Sequence, residues 1–191
     1  IFDWLVKDDL IKKPDIDILT DQDLQIIGTN ADFLGVNYYS RAIVRNNNIS
    51  KEKNLPVQVK FSEKTDFGWE VHPESFYKLL MRINNDYSLK KIYITENGCS
   101  YNNVPDKNRI ISDNKRIDYH SSHLLSLKKA INNGVPCDGY FAWSLMDNFE
   151  WCEGFQQRFG LVWVDFNSLE RIPKQSFFWY KNLINKNGAE K

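Results

Sequence analysis

The chain has 191 residues, 42% of them hydrophobic, with 25 basic and 25 acidic side chains that cancel to zero formal charge. That composition fits a soluble globular protein, offers no basic stripe for nucleic acid, and contains no run near the roughly 20 apolar residues of a membrane span. Cys99, Cys137 and Cys152 are odd in number and share no CxxC spacing, which argues against a zinc site or disulfide framework and for a reducing compartment.

Ile1-Phe2-Asp3-Trp4-Leu5-Val6 shows no initiating Met, basic region or cleavage site, so the chain reads as entered in mid-stream and, with no export signal visible, as cytoplasmic. Thr20 before Asp21-Gln22-Asp23-Leu24 predicts a helix N-cap, and Gly28 the stop. A strand is expected over Asp32 to Tyr39. Ser40 to Phe67 is a long polar connection that includes the polar cluster Asn46 to Lys53, and connections of that length are often functional. Pro73 opens a helix with Phe76, Leu79, Leu80 and Ile83 on one face.

Lys91-Ile92-Tyr93-Ile94-Thr95-Glu96-Asn97-Gly98 is the most informative run. Its apolar alternation predicts a buried strand and Asn97-Gly98 the turn that ends it. Glu96 then sits at a strand's C-terminal end, where α/β barrels and open sheets keep their chemistry. A solvated or capping carboxylate is the plainer reading of the same residue.

Asp113 is expected to cap a helix in which Ile117, His120, Leu124, Leu127 and Ile131 form the apolar stripe, with Gly134 as its end. His120 and His123, three apart, suit a surface or core role better than a metal site. A third strand is predicted over Asp138 to Leu145, then a rich loop from Met146 to Arg158, a short strand over Leu161 to Phe166, and a last helix from Pro173 carrying Phe177, Tyr180 and Ile184. Strand, long loop and helix repeated three times imply parallel strands with right-handed crossovers. Three strands cannot close a barrel of eight, so the piece is expected to leave open sheet edges.

The strand ends and their loops bring together Asn37, Tyr39, Glu96, Trp143, Glu150, Trp151 and Phe159. Carboxylates, an amide, a phenol and indoles are what a sugar site needs, because pyranose C–H faces pack on aromatic rings while hydroxyl edges take carboxylates and amides. Core packing is the alternative for any one of these aromatics taken singly.

Asp32-Phe33-Leu34-Gly35-Val36-Asn37-Tyr38-Tyr39, Ile94-Thr95-Glu96-Asn97-Gly98 and Trp143-Ser144-Leu145-Met146-Asp147-Asn148-Phe149-Glu150-Trp151 together resemble the sixth, seventh and eighth strand motifs of glycoside hydrolase family 1. The resemblance runs from about Asp21 to Leu183 and implies the C-terminal part of a (β/α)8 TIM barrel, with residues 1–191 one partial barrel domain. It implies a retaining β-glycosidase with no cofactor or metal, in which Glu96 is the nucleophile and Tyr39 its positioning hydroxyl. By the same resemblance Asn37 lies near the sugar 2-hydroxyl, Glu150 grips two hydroxyls, Trp143, Trp151 and Phe159 surround the ring, and Trp69 lines the leaving-group side.

The family's acid/base glutamate belongs to an Asn-Glu-Pro motif, which this sequence lacks. The expected partners are therefore a β-glycoside or oligosaccharide substrate and the missing N-terminal barrel half. The phosphoglycosidase branch places serine, lysine and tyrosine where this chain has Glu150, Gln157 and Phe159, and Glu150 would repel a phosphate. A non-catalytic sugar-binding or interaction module is the competing class, though such a module has no need of an intact nucleophile with Tyr39 and Asn37 around it.

Overall fold

The computed structural model describes residues 20–44, 62–87 and 89–186. The Ile1–Val6 segment, the Asn46 to Lys53 cluster and much of the Ser40 to Phe67 connection lie outside them. The chain divides into two compact units, Ile1–Asp32 and Phe33–Lys191.

In the first unit, α1 (Asp21–Ile27) begins at Thr20 with a reciprocal capping box. The Thr20 hydroxyl accepts from the Asp23 amide at 3.2 Å, and the Asp23 carboxylate accepts from the Thr20 amide at 2.9 Å, so two of the orphan donors of the first turn are satisfied. Gly28 closes the helix as expected from the sequence.

The second unit is built on β1 (Leu34–Tyr38), β2 (Ile92–Asn97) and β3 (Cys137–Ala142), a sheet of order β1-β2-β3 with both pairs parallel. Helix α2 (Pro73–Asp86) connects β1 to β2 and α3 (Asn114–Asn132) connects β2 to β3. The expected alternation of strand, loop and helix is present. After β3 come a 3₁₀ turn (Trp151–Glu153), the antiparallel pair β4 (Val162–Val164) and β5 (Arg171–Pro173), and α4 (Gln175–Asn185).

One face of the sheet is core. Val36, Tyr38, Ile92 and Ile94 are buried with Phe76 and Leu80 of α2 and Leu127 and Ala130 of α3, each of the larger side chains stabilising the unit by about 1.5–3 kcal/mol relative to exposure. The other face, with Gly35, Asn37, Thr95 and Phe141, is exposed. Among the described residues β1 and β3 have free outer edges, and the sheet does not close.

Several expectations need correction. The first strand is shorter than Asp32 to Tyr39. The third ends at Ala142 instead of Leu145, because Ser144 leaves the sheet to exchange hydrogen bonds with Phe159 and Leu161. The short strand shrinks to β4. Pro173 does not start the last helix: it ends β5, opposite Val162, and the helix starts at Gln175. A strand end tolerates proline there, and the preceding Ile172 is extended as residues before proline prefer. Asp113 stands at the N-cap of α3, but its side chain makes no cap bond and turns to Arg116 and Ser176 instead.

The buried stripe of α3 is also rotated from the expected one. It runs through Arg116, Tyr119, His120, His123, Leu127 and Ala130, while Ile131 is exposed. The two histidines belong to the interior. Tyr140 donates its hydroxyl to Asn97 Oδ1 at 2.7 Å, so its oxygen accepts from His120 Nδ1 at 2.9 Å. His123 Nδ1 donates to the Tyr119 carbonyl at 2.8 Å, and its ring stacks on Tyr119 with centroids 4.0 Å apart. Both Nε2 atoms are left buried without a partner among the described residues.

Charging either ring would place a proton on that bare nitrogen, so burial holds His120 down to about 3 and His123 to about 4. The unfolded chain takes up these protons as pH falls below about 6.5, and the folded chain does not until pH 4 and below. Stability contributed by the neutral rings is therefore complete above pH 6.5 and declines as pH drops, by up to about 1.4 kcal/mol per pH unit per histidine. Urea midpoints taken between pH 7 and 4.5 should show this slope. His123→Phe should remove its share, up to about half of the slope, and leave that of His120; an unchanged slope would remove His123 as a source.

Candidate active site

The site grows out of an irregularity in β2. Val36 pairs with Ile94 but Asn37 pairs with Glu96, and Ile94 pairs with Tyr140 while Asn97 pairs with Ala142. Relative to both neighbours β2 holds one extra residue at Thr95–Glu96, a bulge of the kind that re-aims a side chain. Strict alternation would send Glu96 to the same helix-covered face as Ile92 and Ile94. The bulge gives that buried place to Asn97 and leaves Glu96 half-exposed.

Asn97 is an anchor, and the expectation of a terminating Asn-Gly turn is corrected. Its amide donates to the Tyr38 carbonyl at 2.7 Å and the Tyr119 hydroxyl at 3.1 Å, and its oxygen accepts from Tyr140. Tyr119 in turn donates to the Tyr39 carbonyl at 2.8 Å. A fully buried amide thus ties the ends of β1 and β2 to α3 and β3, next to the carboxylate of interest.

Glu96 opens into a cavity of about 290 Å³ lined by Tyr39, Trp69, Trp143, Glu150, Trp151 and Phe159 together with Asn148 and Phe149. The Tyr39 hydroxyl donates to Glu96 Oε2 at 2.5 Å, a short charge-assisted bond. Burial, then the bond to Glu96 and its charge, push the Tyr39 phenol well above its ordinary range, so it remains a donor. Glu150 is also pushed up, by partial burial first and by the negative Glu96 and Glu153 second.

Trp69 stands on a tight turn in which Thr65 and Trp69 are bonded backbone to backbone and Gly68 takes φ 86°. A residue with a Cβ is strained there. The Trp69 ring lies 5.3 Å from Tyr39, 5.8 Å from Phe159 and 4.3 Å from Phe67, centroid to centroid, so four aromatic rings form one wall. Glu70 behind it is clamped by a bidentate Arg41 fork at 2.7 and 3.0 Å, which holds its carboxyl below the usual range. Glu150 precedes the 3₁₀ turn as its N-cap and Trp151 opens it, at φ 38° and 81% exposed.

Seven of the eight residues singled out in the sequence share this cavity. Asn37 lines a neighbouring groove of about 860 Å³ that also includes Tyr39 and Trp69. Its Oδ1 accepts from the Thr95 hydroxyl at 2.6 Å. Asn148 and Phe149 were not singled out, although both lie inside the Trp143 to Trp151 motif. Phe67 was missed as well, and its place two residues before Trp69 was the available signal.

No group of His, Cys, Asp or Glu among the described residues is arranged to hold a metal ion, and no described helix is long and apolar enough to cross a membrane.

The family model of glycosyl hydrolase family 1 matches residues 6–189. A 1,4-β-D-glucan glucohydrolase of Thermotoga neapolitana is 42% identical over 172 residues, covering 88% of this chain and 38% of that protein. A β-glucosidase A of Acetivibrio thermocellus is 40% identical over 183 residues, covering 94% of this chain and 41% of its own length. Among solved structures, a family 1 β-glucosidase from Thermotoga maritima superposes with a TM-score of 0.84 at 41% identity, over 89% of this chain and 38% of that one. The same Thermotoga maritima enzyme has been solved with glucoimidazole and with isofagomine lactam. The chain spans about two fifths of the length of these relatives, and its open parallel sheet is part of their TIM barrel. The chain belongs to glycosyl hydrolase family 1.

Proposed function

We propose that the chain is the C-terminal part of a retaining β-glycosidase that hydrolyses β-glucosides or closely related β-glycosides. Glu96 attacks the anomeric carbon and forms a glycosyl-enzyme intermediate, which water later opens. Tyr39 holds that carboxylate by its hydrogen bond. Asn37 and Glu150 take sugar hydroxyls, Trp143, Trp151 and Phe159 cover the ring, and Trp69 faces the leaving group. The observation that carries this reading is the 2.5 Å Tyr39–Glu96 bond inside a cavity walled by indoles, phenyl rings and a second carboxylate.

Glu150 is not cast as the proton donor, although burial and Glu96 raise it as a general acid requires. The donor is assigned to the Asn-Glu-Pro motif of the upstream barrel segment, which docks at the free edges of β1 and β3 and encloses the exposed face of the sheet. A 6-phosphosugar is disfavoured, since Glu150 contributes negative charge to the cavity and Gln157 accepts from Ser100 at 2.8 Å where a cation would be wanted.

The test replaces the matching segment of the Thermotoga maritima β-glucosidase with this chain and compares the chimera with the chain alone. Aryl β-glucoside turnover in the chimera and none in the chain alone is the expected result. Full-rate hydrolysis of an alkyl β-glucoside by the chain alone would place the donor within it. A folded chimera that binds glucoimidazole but does not turn over would favour a sugar-binding module.

A further inference from the structure

The Glu150–Trp151 loop leaves the body of the protein at Asp147 and returns at Arg158, and both ends meet one carboxylate. Asp147 is nearly fully buried. Its Oδ1 accepts from the Gly160 amide at 2.9 Å and from Lys174 Nζ at 3.0 Å, and its Oδ2 from Arg158 Nη1 at 2.8 Å and the Val164 amide at 3.4 Å. The start of the loop is thereby fastened to its end, to β4 and to the residue that precedes α4.

The fastening continues inward. The Arg158 carbonyl accepts from Arg116 Nη2 at 2.6 Å, and Arg116 Nη1 bonds Asp113 at 2.6 Å. Asp113 accepts from the amide and hydroxyl of Ser176 at 2.9 and 2.5 Å. Lys174, Asp113 and Arg116 are fully or almost fully buried. Apolar residues of similar volume often stabilise a fold at least as well as buried ion pairs, so such a chain of ions is better explained by direction than by strength. The loop needs direction: Trp151 is held at positive φ, which a bulky side chain does not adopt unless its surroundings impose it.

We propose that Asp147, with Lys174 and Arg158, is a positioning unit that sets the Glu150–Trp151 loop against the Glu96 cavity. The functional weight of this rests on Glu150 and Trp151 contacting the sugar; the mechanical part does not. Within the loop the amides of Glu150, Glu153, Gly154 and Gln156 are hydrogen-bonded to loop carbonyls, so their exchange with solvent reports whether the loop keeps its shape.

Hydrogen exchange is measured on the chain as it stands, for Asp147→Asn and for Asp147→Asn combined with Lys174→Met. The single variant keeps the shape of the side chain but removes the charge that faces Lys174 and Arg158. The double variant also removes the stranded ammonium, and carries the test if the single variant does not fold. In both, the four loop amides should exchange about tenfold faster or more, while those of β2 and α3 keep parent rates in the double variant. Parent rates in the loop of either folded variant would overturn the proposal, as would an equal acceleration throughout the double variant, which marks a merely structural role. In the chimera, the double variant should raise KM for an aryl β-glucoside at least as much as it lowers kcat. Unchanged KM with faster loop exchange would leave the positioning intact and overturn the sugar contact of the loop.

Discussion

Glu96→Ala in a completed barrel should abolish β-glucoside hydrolysis, by about 10⁴-fold or more, a loss on the scale of removing a catalytic nucleophile. The protein should stay folded, because Glu96 sits half-exposed on a bulge, and its loss leaves one part-buried donor, the Tyr39 hydroxyl, without its acceptor, a cost of about 1–3 kcal/mol. The vacated space adjoins a cavity of about 290 Å³, room enough for a small anion. Azide should then restore cleavage of a β-glycoside with an activated leaving group. Replacing a protein nucleophile on the α-face, it gives a product of inverted, α-configuration. A rescued β-azide would assign Glu96 to the acid/base role, and undiminished hydrolysis by the variant would remove Glu96 from the chemistry.

The strand pattern and the motif around it singled out Glu96, but they did not give the direction of its side chain. Apolar alternation located β2 correctly, and turn and capping residues located α1, α2 and α3 to within a residue or two. Alternation alone, however, would have turned Glu96 toward Phe76 and Leu80. The bulge that prevents this depends on the registers of two neighbouring strands, which no local window contains.

The buried polar residues were illegible for a related reason. Arg116, His120 and His123 interrupt the apolar stripe of α3, so hydropathy rotates the helix toward Ile117 and Ile131. Their burial is intelligible only with partners in view: Asp113 and two backbone carbonyls for Arg116, Tyr140 for His120, the Tyr119 carbonyl for His123. Pro173 misled in the same way, since its place opposite Val162 decides that it ends a strand. Most aromatic residues of the cavity were readable as a group because they lie in loops, where the chain need not follow a packing period and side-chain chemistry stands out.

Gly98→Ala should be a severely damaging single-methyl change near the site. A Cβ at Gly98 would stand 1.9 Å from the Trp143 carbonyl oxygen and 2.9 Å from its carbon, both backbone atoms. That carbonyl cannot easily retreat, because the Trp143 amide is bonded to the Asn97 carbonyl at 2.9 Å and the Ser144 carbonyl accepts from Leu161. The strands must part instead, at a cost of about 3 kcal/mol or more, at or beyond the upper end of overpacking. Gly68→Ala provides the contrast: its φ of 86° strains any Cβ, but nothing lies within 4 Å, so the cost is only about 1–2 kcal/mol of left-handed backbone. Denaturant midpoints at unchanged slope measure both. Because Trp143 lines the Glu96 cavity, Gly98→Ala should also impair glycoside binding in the chimera by displacing that ring, whereas Gly68→Ala should act on the Trp69 wall alone. A Gly98→Ala protein as stable as its parent would mean that β3 can move away from β2 at this level, and that Trp143 is not fixed by the close approach of the two chains.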